Sequence, residues 1–149
     1  MQEAAPPQAV DLGDPLAFLV GSWRTRRDLL DRSTGTAGSF VGTTTFTSDG
    51  EGLLWEERGT VSWPHFEGPA SRSYAVRAAG PAMTLHFPDG RLLCRLDLRT
   101  GEARDEHDCF PDTYRVTFRV TTRETIEYSW DVTGPDKDIL LRTALTRLP

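Results

Sequence analysis

The densest group of chemically capable side chains in this 149-residue sequence is His107-Asp108-Cys109-Phe110-Pro111-Asp112-Thr113-Tyr114. Five of its eight residues can move a proton or bind a metal. A histidine that titrates near neutrality beside a phenol supports acid–base chemistry such as an isomerisation or a cyclisation. His107 and Tyr114 are therefore the candidate catalytic pair, with Asp112 as the residue that would orient the imidazole. The same two side chains could instead serve only as donor and acceptor to a bound carbonyl or carboxylate. On the plainer reading Asp112 caps a turn, and Cys94 and Cys109 are small buried apolar residues.

A zinc site would have to draw on His86, Cys94, His107 and Cys109. Gaps of seven, twelve and one residues match none of the usual ligand frames, so no metal is expected. Cys109 has only His107 and Arg104 nearby in sequence to favour its thiolate, which makes it a weak nucleophile candidate. His86 falls opposite Met83, Leu85 and Phe87 and reads as a surface residue. His65 reads either as a lid residue or as an ordinary exposed loop histidine.

A second group is defined by its company. Period-two lettering puts Thr25 and Arg27 on one face with Trp23 and Leu29, Thr44 with Phe40 and Phe46, and Glu57 with Leu53 and Trp55. An unpaired charge is costly to bury, so an inward Arg27 and Glu57 must pair with each other, with water or with a ligand. The alternative is that these strands run out of phase and both charges lie in solvent. The inward reading gives a partly polar interior suited to an amphipathic ligand. Trp55, Phe118, Tyr128 and Trp130 would be its aromatic walls, and His107, Tyr114, Arg27 and Glu57 its polar contacts.

Positioning these groups falls to a chain that reads almost wholly as strand. Asp14 and Pro15 can open a single helical turn whose Leu16, Phe18, Leu19 and Val20 form an apolar plug. Alternating runs follow at 23–29, 39–47, 53–61, 73–78, 82–87, 91–99, 103–109, 114–121, 126–132 and 137–145, divided by turns rich in Gly, Pro and Asp. In the run 91–99, Leu92, Cys94, Leu96 and Leu98 are expected inside, opposite Arg91, Arg95, Asp97 and Arg99. Residues 62–71, with two prolines, read as a loop over the open end. Short hairpins joining sequential strands favour an all-β, antiparallel up-and-down barrel of 8–10 strands, closed at one end by the helical turn.

The length suits one domain, placed at 14–149 after a flexible lead-in at 1–13. Seventeen basic against twenty-two acidic residues, mixed throughout, give a net charge of −5 and argue against nucleic acid as a partner. The N-terminal stretch has no basic start, and its apolar run is too short for a signal peptide or a membrane span, so a cytoplasmic protein with no membrane partner is expected. Without an export signal the two cysteines are expected to be reduced thiols, with one disulfide between them as the alternative. The oligomeric state is left open, with a homodimer among the forms allowed.

The stretch LAFLVGSWRTRRDL at 16–29 resembles the opening of lipocalin-like, or calycin, barrels: an apolar turn, Gly-x-Trp, then the first strand. Residues 16–147 are similar to a family of small calycin-like proteins of unknown function. The motifs that carry this are His86-Phe87-Pro88-Asp89-Gly90-Arg91, His107-x-Cys109-x-x-Asp112-x-Tyr114 and Trp130-x-Val132-x-Gly134-Pro135-x-Lys137-Asp138. The resemblance implies the barrel and brings no activity with it. As in similar barrels, Trp23 would close the base, with Arg142 or Arg147 stacked over it. The plan is also distantly similar to nitrobindin-like haem barrels and fatty-acid-binding proteins. Haem barrels place an axial histidine late in the chain, whereas here ligation would fall to His86, His107, Tyr114 or Tyr128, so haem is not expected.

The function expected is binding of a small, partly apolar organic ligand inside the barrel. The alternative is a cofactor-independent isomerase or cyclase working through His107 and Tyr114. A third reading is a filled scaffold with no ligand, which an interior cavity of roughly 300 Å³ or more would set aside.

Overall fold

The computed structural model describes residues 12–149. A five-residue helix, α1 (Pro15–Leu19), precedes ten strands: β1 (Gly21–Asp31), β2 (Thr36–Ser48), β3 (Gly52–Trp63), β4 (Phe66–Ala79), β5 (Ala82–His86), β6 (Leu92–Leu96), β7 (Glu102–Cys109), β8 (Asp112–Thr122), β9 (Thr125–Thr133) and β10 (Asp138–Arg147). They form one antiparallel sheet in the order β6-β5-β4-β3-β2-β1-β10-β9-β8-β7. Sequential strands are thus neighbours throughout, and β1 pairs with β10 from Trp23↔Arg147 to Asp31↔Ile139.

The two ends of the sheet, β6 and β7, meet without a backbone ladder. Arg95 N donates to Asp105 Oδ2 at 2.7 Å and Cys109 Sγ to the Leu92 carbonyl at 3.4 Å, so side chains close the nearly complete barrel. An acidic side chain satisfying a strand N–H is one way to blunt an exposed edge.

The base is built as the first strand suggests. Asp14 Oδ1 accepts from Leu16 N at 3.1 Å and Ala17 N at 3.4 Å, fixing the helical turn. Trp23 is fully buried and donates its indole N–H to the Leu19 carbonyl at 2.9 Å. Arg147 is the arginine that stacks there: its guanidinium carbon lies 4.1 Å from the Trp23 ring centre, and Nη2 donates to the Phe18 carbonyl at 2.7 Å. Arg142 faces outward. Of the expected lead-in, residues 1–11 lie outside the described residues, and Leu12 is buried in the core.

Two local expectations are corrected. Residues 62–71 are not a loop: β3 and β4 pair up to Trp63↔Phe66, leaving Pro64 and His65 as the turn, with His65 exposed. Pro69 is accommodated opposite Thr60 within that hairpin. In β6 the register slips against β5, Leu85 pairing with Cys94 but His86 with Leu92. The bulge turns Leu93 inward and leaves Leu92 exposed, against expectation, while Cys94, Leu96 and Leu98 are buried as expected.

The glycines at 42 and 59 face each other across β2 and β3. A Cβ on Gly42 would stand 2.1 Å from the Arg58 carbonyl oxygen, and one on Gly59 2.2 Å from that of Val41. Only glycine permits so close a backbone approach. The closure brings the inward faces of β1, β3, β4, β9 and β10 to a common centre.

Candidate functional site

That centre holds a charged cluster inside an aromatic core. Thr25, Arg27, Thr44 and Glu57 are all buried, at 0, 6, 0 and 1 % exposure, so the inward phase is the correct one. Thr25 and Thr44 satisfy each other through their hydroxyls at 2.6 Å. Arg27 donates Nε to Thr143 Oγ1 at 2.7 Å and Nη2 to both Glu57 Oε2 and Tyr128 OH. Tyr128 in turn donates to Glu57 Oε2 at 3.0 Å, while Arg72 Nε donates to Glu57 Oε1. One carboxylate is thus held between two guanidiniums and a phenol.

The electrostatics follow from that geometry. Burial pushes the Glu57 carboxyl up, but Arg72 and Arg27 outweigh it and hold the group below the ordinary carboxylate range. Tyr128 is pushed well above the usual phenol value, first by burial and then by Glu57, and stays a donor. Burial opposes the charge on Arg72, yet Tyr74 and Glu57 more than offset this, and it remains a cation.

A cavity of about 150 Å³ lies against the cluster, lined by Arg27, Glu57 and Arg72 and by the apolar Leu29, Phe40, Val61 and Leu141. It adjoins a groove of about 550 Å³ that shares Glu57, Ser71 and Arg72 and reaches Tyr74 and Phe87. The cavity alone is below the 300 Å³ or so expected of a free-standing ligand pocket. It is still large enough for a body the size of a benzene ring.

Around it the aromatic residues pack edge to face. Trp55 meets Tyr128 at 5.6 Å and 85°, Tyr128 meets Trp130 at 6.3 Å and 77°, and Phe118 stacks flat on Tyr128 at 5.5 Å and 7°. Of the eight residues expected to contact a ligand, Arg27 and Glu57 line the cavity and Tyr128 completes their network. Trp55, Trp130 and Phe118 pack against Tyr128 and do not line the cavity.

His107 and Tyr114 are placed elsewhere. They are cross-strand partners on the inward face of β7 and β8, each half-buried, and neither lines the cavity. Tyr114 reaches toward the centre through Trp130, 6.4 Å away at 85°, and through Phe87 at 6.0 Å. The buried Asp112 carboxylate pairs with Lys137 at 3.2 Å. Among the described residues no hydrogen bond or ion pair joins it to His107, so its expected part in orienting the imidazole is replaced by that ion pair. His86 is half-buried and turned to its own hairpin, with Nε2 2.9 Å from Thr84 Oγ1.

Cys94 and Cys109 are free thiols, both pushed up chiefly by burial. Among the described residues no group of three or more His, Cys, Asp or Glu is placed to hold a metal, and no helix is long and apolar enough to cross a membrane.

Two members of the cluster escaped the sequence reading. Arg72 precedes Tyr74 by two residues and so shares its face, but with the loop ended at residue 71 and the strand begun at 73 it falls in neither. Thr143 lies between Leu141 and Leu145 in the same alternation. Extending the run at 73–78 back by one residue would have found Arg72, and reading the alternation within 137–145 would have found Thr143.

The fold recurs in solved structures at low identity. A protein of unknown function from the DUF3598 family of Nostoc punctiforme superposes with a TM-score of 0.59 at 11% identity, over 92% of this chain and 53% of the other, so the chain spans about half that protein. An S-type phycobiliprotein lyase, CPES, from Guillardia theta gives a TM-score of 0.59 at 11% identity, over 94% of each chain. No curated protein matches the sequence. The model of one family matches residues 19–147, from the helix end through the last strand: the chain belongs to DUF6314, a family of unknown function.

Proposed function

We propose that the protein binds a small, partly apolar organic molecule inside the barrel, its body against Leu29, Phe40, Val61 and Leu141 and its polar end on the arginine–glutamate cluster. The observation that supports this reading is the position of the cluster: a charged network buried in an aromatic core and facing a cavity of about 150 Å³. A filled scaffold gains nothing from such an arrangement, since apolar residues of similar volume are as stable or more so. The fold it shares with a phycobiliprotein lyase is compatible with an interior ligand. Trp55, in edge contact with both Tyr128 and Tyr74, gives the readout. Titration with single-ring aromatic compounds should change tryptophan emission saturably, and a panel that leaves it unchanged while the barrel stays folded overturns the reading.

A second reading is favoured by one observation, the pairing of His107 with Tyr114 across β7 and β8 on the inward face. There the pair would transfer a proton on a ligand seated nearer that wall. With a turned-over ligand in hand, His107→Ala should abolish turnover while leaving affinity within about threefold. Retained turnover removes His107 from the chemistry.

A further inference from the structure

Among the described residues, four buried side-chain polar atoms have no hydrogen-bond partner: Trp55 Nε1, Trp130 Nε1, Arg72 Nη2 and Arg119 Nε. All four are N–H donors. Three of them belong to the interior, and a buried donor left unpaired costs more than a made bond returns. Of the three, Arg72 alone lines the cavity and the groove, so its Nη2 is the donor that an acceptor placed there would satisfy.

Charge points the same way. The cluster contains two guanidiniums and one carboxylate, and Tyr128 stays a neutral phenol. Glu57 is already engaged through both oxygens, by Arg27 and Tyr128 on one and by Arg72 on the other. Glu56 and Arg58, which flank the groove from the outer face, approach each other at 3.7 Å and add no net charge. One positive charge is left over, and it lies on Arg72, the residue that lines both the cavity and the groove. Its guanidinium also lies 5.5 Å from the Tyr74 ring centre, which holds its plane in place.

We infer that the ligand is a small organic anion, a carboxylate on a body no larger than about one aromatic ring, and that Arg72 is its anchor through Nη2. This rests on the interior-ligand reading above and names the ligand class. A guanidinium edge with a free N–H matches a carboxylate in shape and charge. The volume excludes long acyl chains from the cavity.

The test uses benzoate, benzamide and benzylamine as probes, titrated by calorimetry into the 149-residue chain. Benzoate should bind about tenfold or more tightly than benzamide, as expected for a bond to a charged group, and benzylamine should not bind. Arg72→Gln should remove the preference, bringing the benzoate-to-benzamide affinity ratio to about one. Arg72→Lys, which keeps the charge, should retain part of the preference. Equal binding of benzoate and benzamide overturns the anion proposal and leaves the interior site standing. Binding by none of the three overturns both. If Arg72→Gln does not fold, the wild-type ratio of benzoate to benzamide still decides.

Discussion

Glu57 and Tyr128 are 71 residues apart in sequence and meet at the centre of the barrel, where the phenol donates to the carboxylate at 3.0 Å. The contact exists only when β3 and β9 face each other across the closed sheet. It is held from either side by Arg27 and Arg72, so the charged centre and the closure of the barrel are a single structural unit.

Removing the carboxylate therefore strands two cations. Glu57→Gln should destabilise the protein by about 3–5 kcal/mol, because the cost is that of uncompensated buried charge rather than of one lost bond. Urea unfolding followed by tryptophan fluorescence measures it. A loss below about 1 kcal/mol would show that the pair is not buried as described.

The same carboxylate sets an acid limit. Its folded-state pKa is held below the unfolded value of about 4.3 by Arg72 and Arg27 against the opposing effect of burial. Between the two values the unfolded chain binds the extra proton, so the stabilisation is complete above about pH 4.3 and is lost as pH falls through the folded value. The urea midpoint should accordingly fall below pH 4.3 in the native protein, and Glu57→Gln should flatten that dependence. Equal slopes would contradict the assignment.

At the base, Arg147 lies over Trp23 and reaches the carbonyls of Phe18 at 2.7 Å and Val20 at 3.2 Å. Arg147→Ala should cost about 1–3 kcal/mol by removing a stacked cation and two bonds to helix-end carbonyls. Arg142→Ala, on the outer face of the same strand, should stay within about 0.5 kcal/mol.

Much of this was legible in the chain, and the failures have physical causes. The alternation of β1 and β3 around Trp23 and Trp55 offered Arg27 and Glu57 as inward, with an out-of-phase reading beside it that only their burial in the closed barrel decides. In the run 91–99, Cys94, Leu96 and Leu98 are inward as their alternation suggests, but Leu92 is not, because the bulge beside His86 inserts a residue and puts Leu93 inside instead. Arg72 was hidden by Pro64, Gly68 and Pro69, whose composition signals a loop although β4 continues through them. Asp105 capping the seam at Arg95, and Lys137 drawing Asp112 away from His107, are partnerships between strands that no local pattern encodes.

The thiols should differ in reactivity. Cys94 is buried and its pKa is raised strongly by desolvation; Cys109 is half-buried, and burial raises it against the opposing effect of Arg91. Iodoacetamide at neutral pH should label Cys109 slowly and Cys94 only on unfolding. Mass spectrometry of the labelled peptides decides, and faster labelling of Cys94 would contradict its position in the core.

The central claim, that the space beside the arginine–glutamate cluster holds a small molecule, is tested most directly by native mass spectrometry. The freshly purified full chain is compared with Ala70→Leu, which fills the cavity from β4. The account predicts a small organic adduct on the native chain that denaturation releases and the variant lacks. The bare chain mass in both, or the same adduct on both, would contradict it.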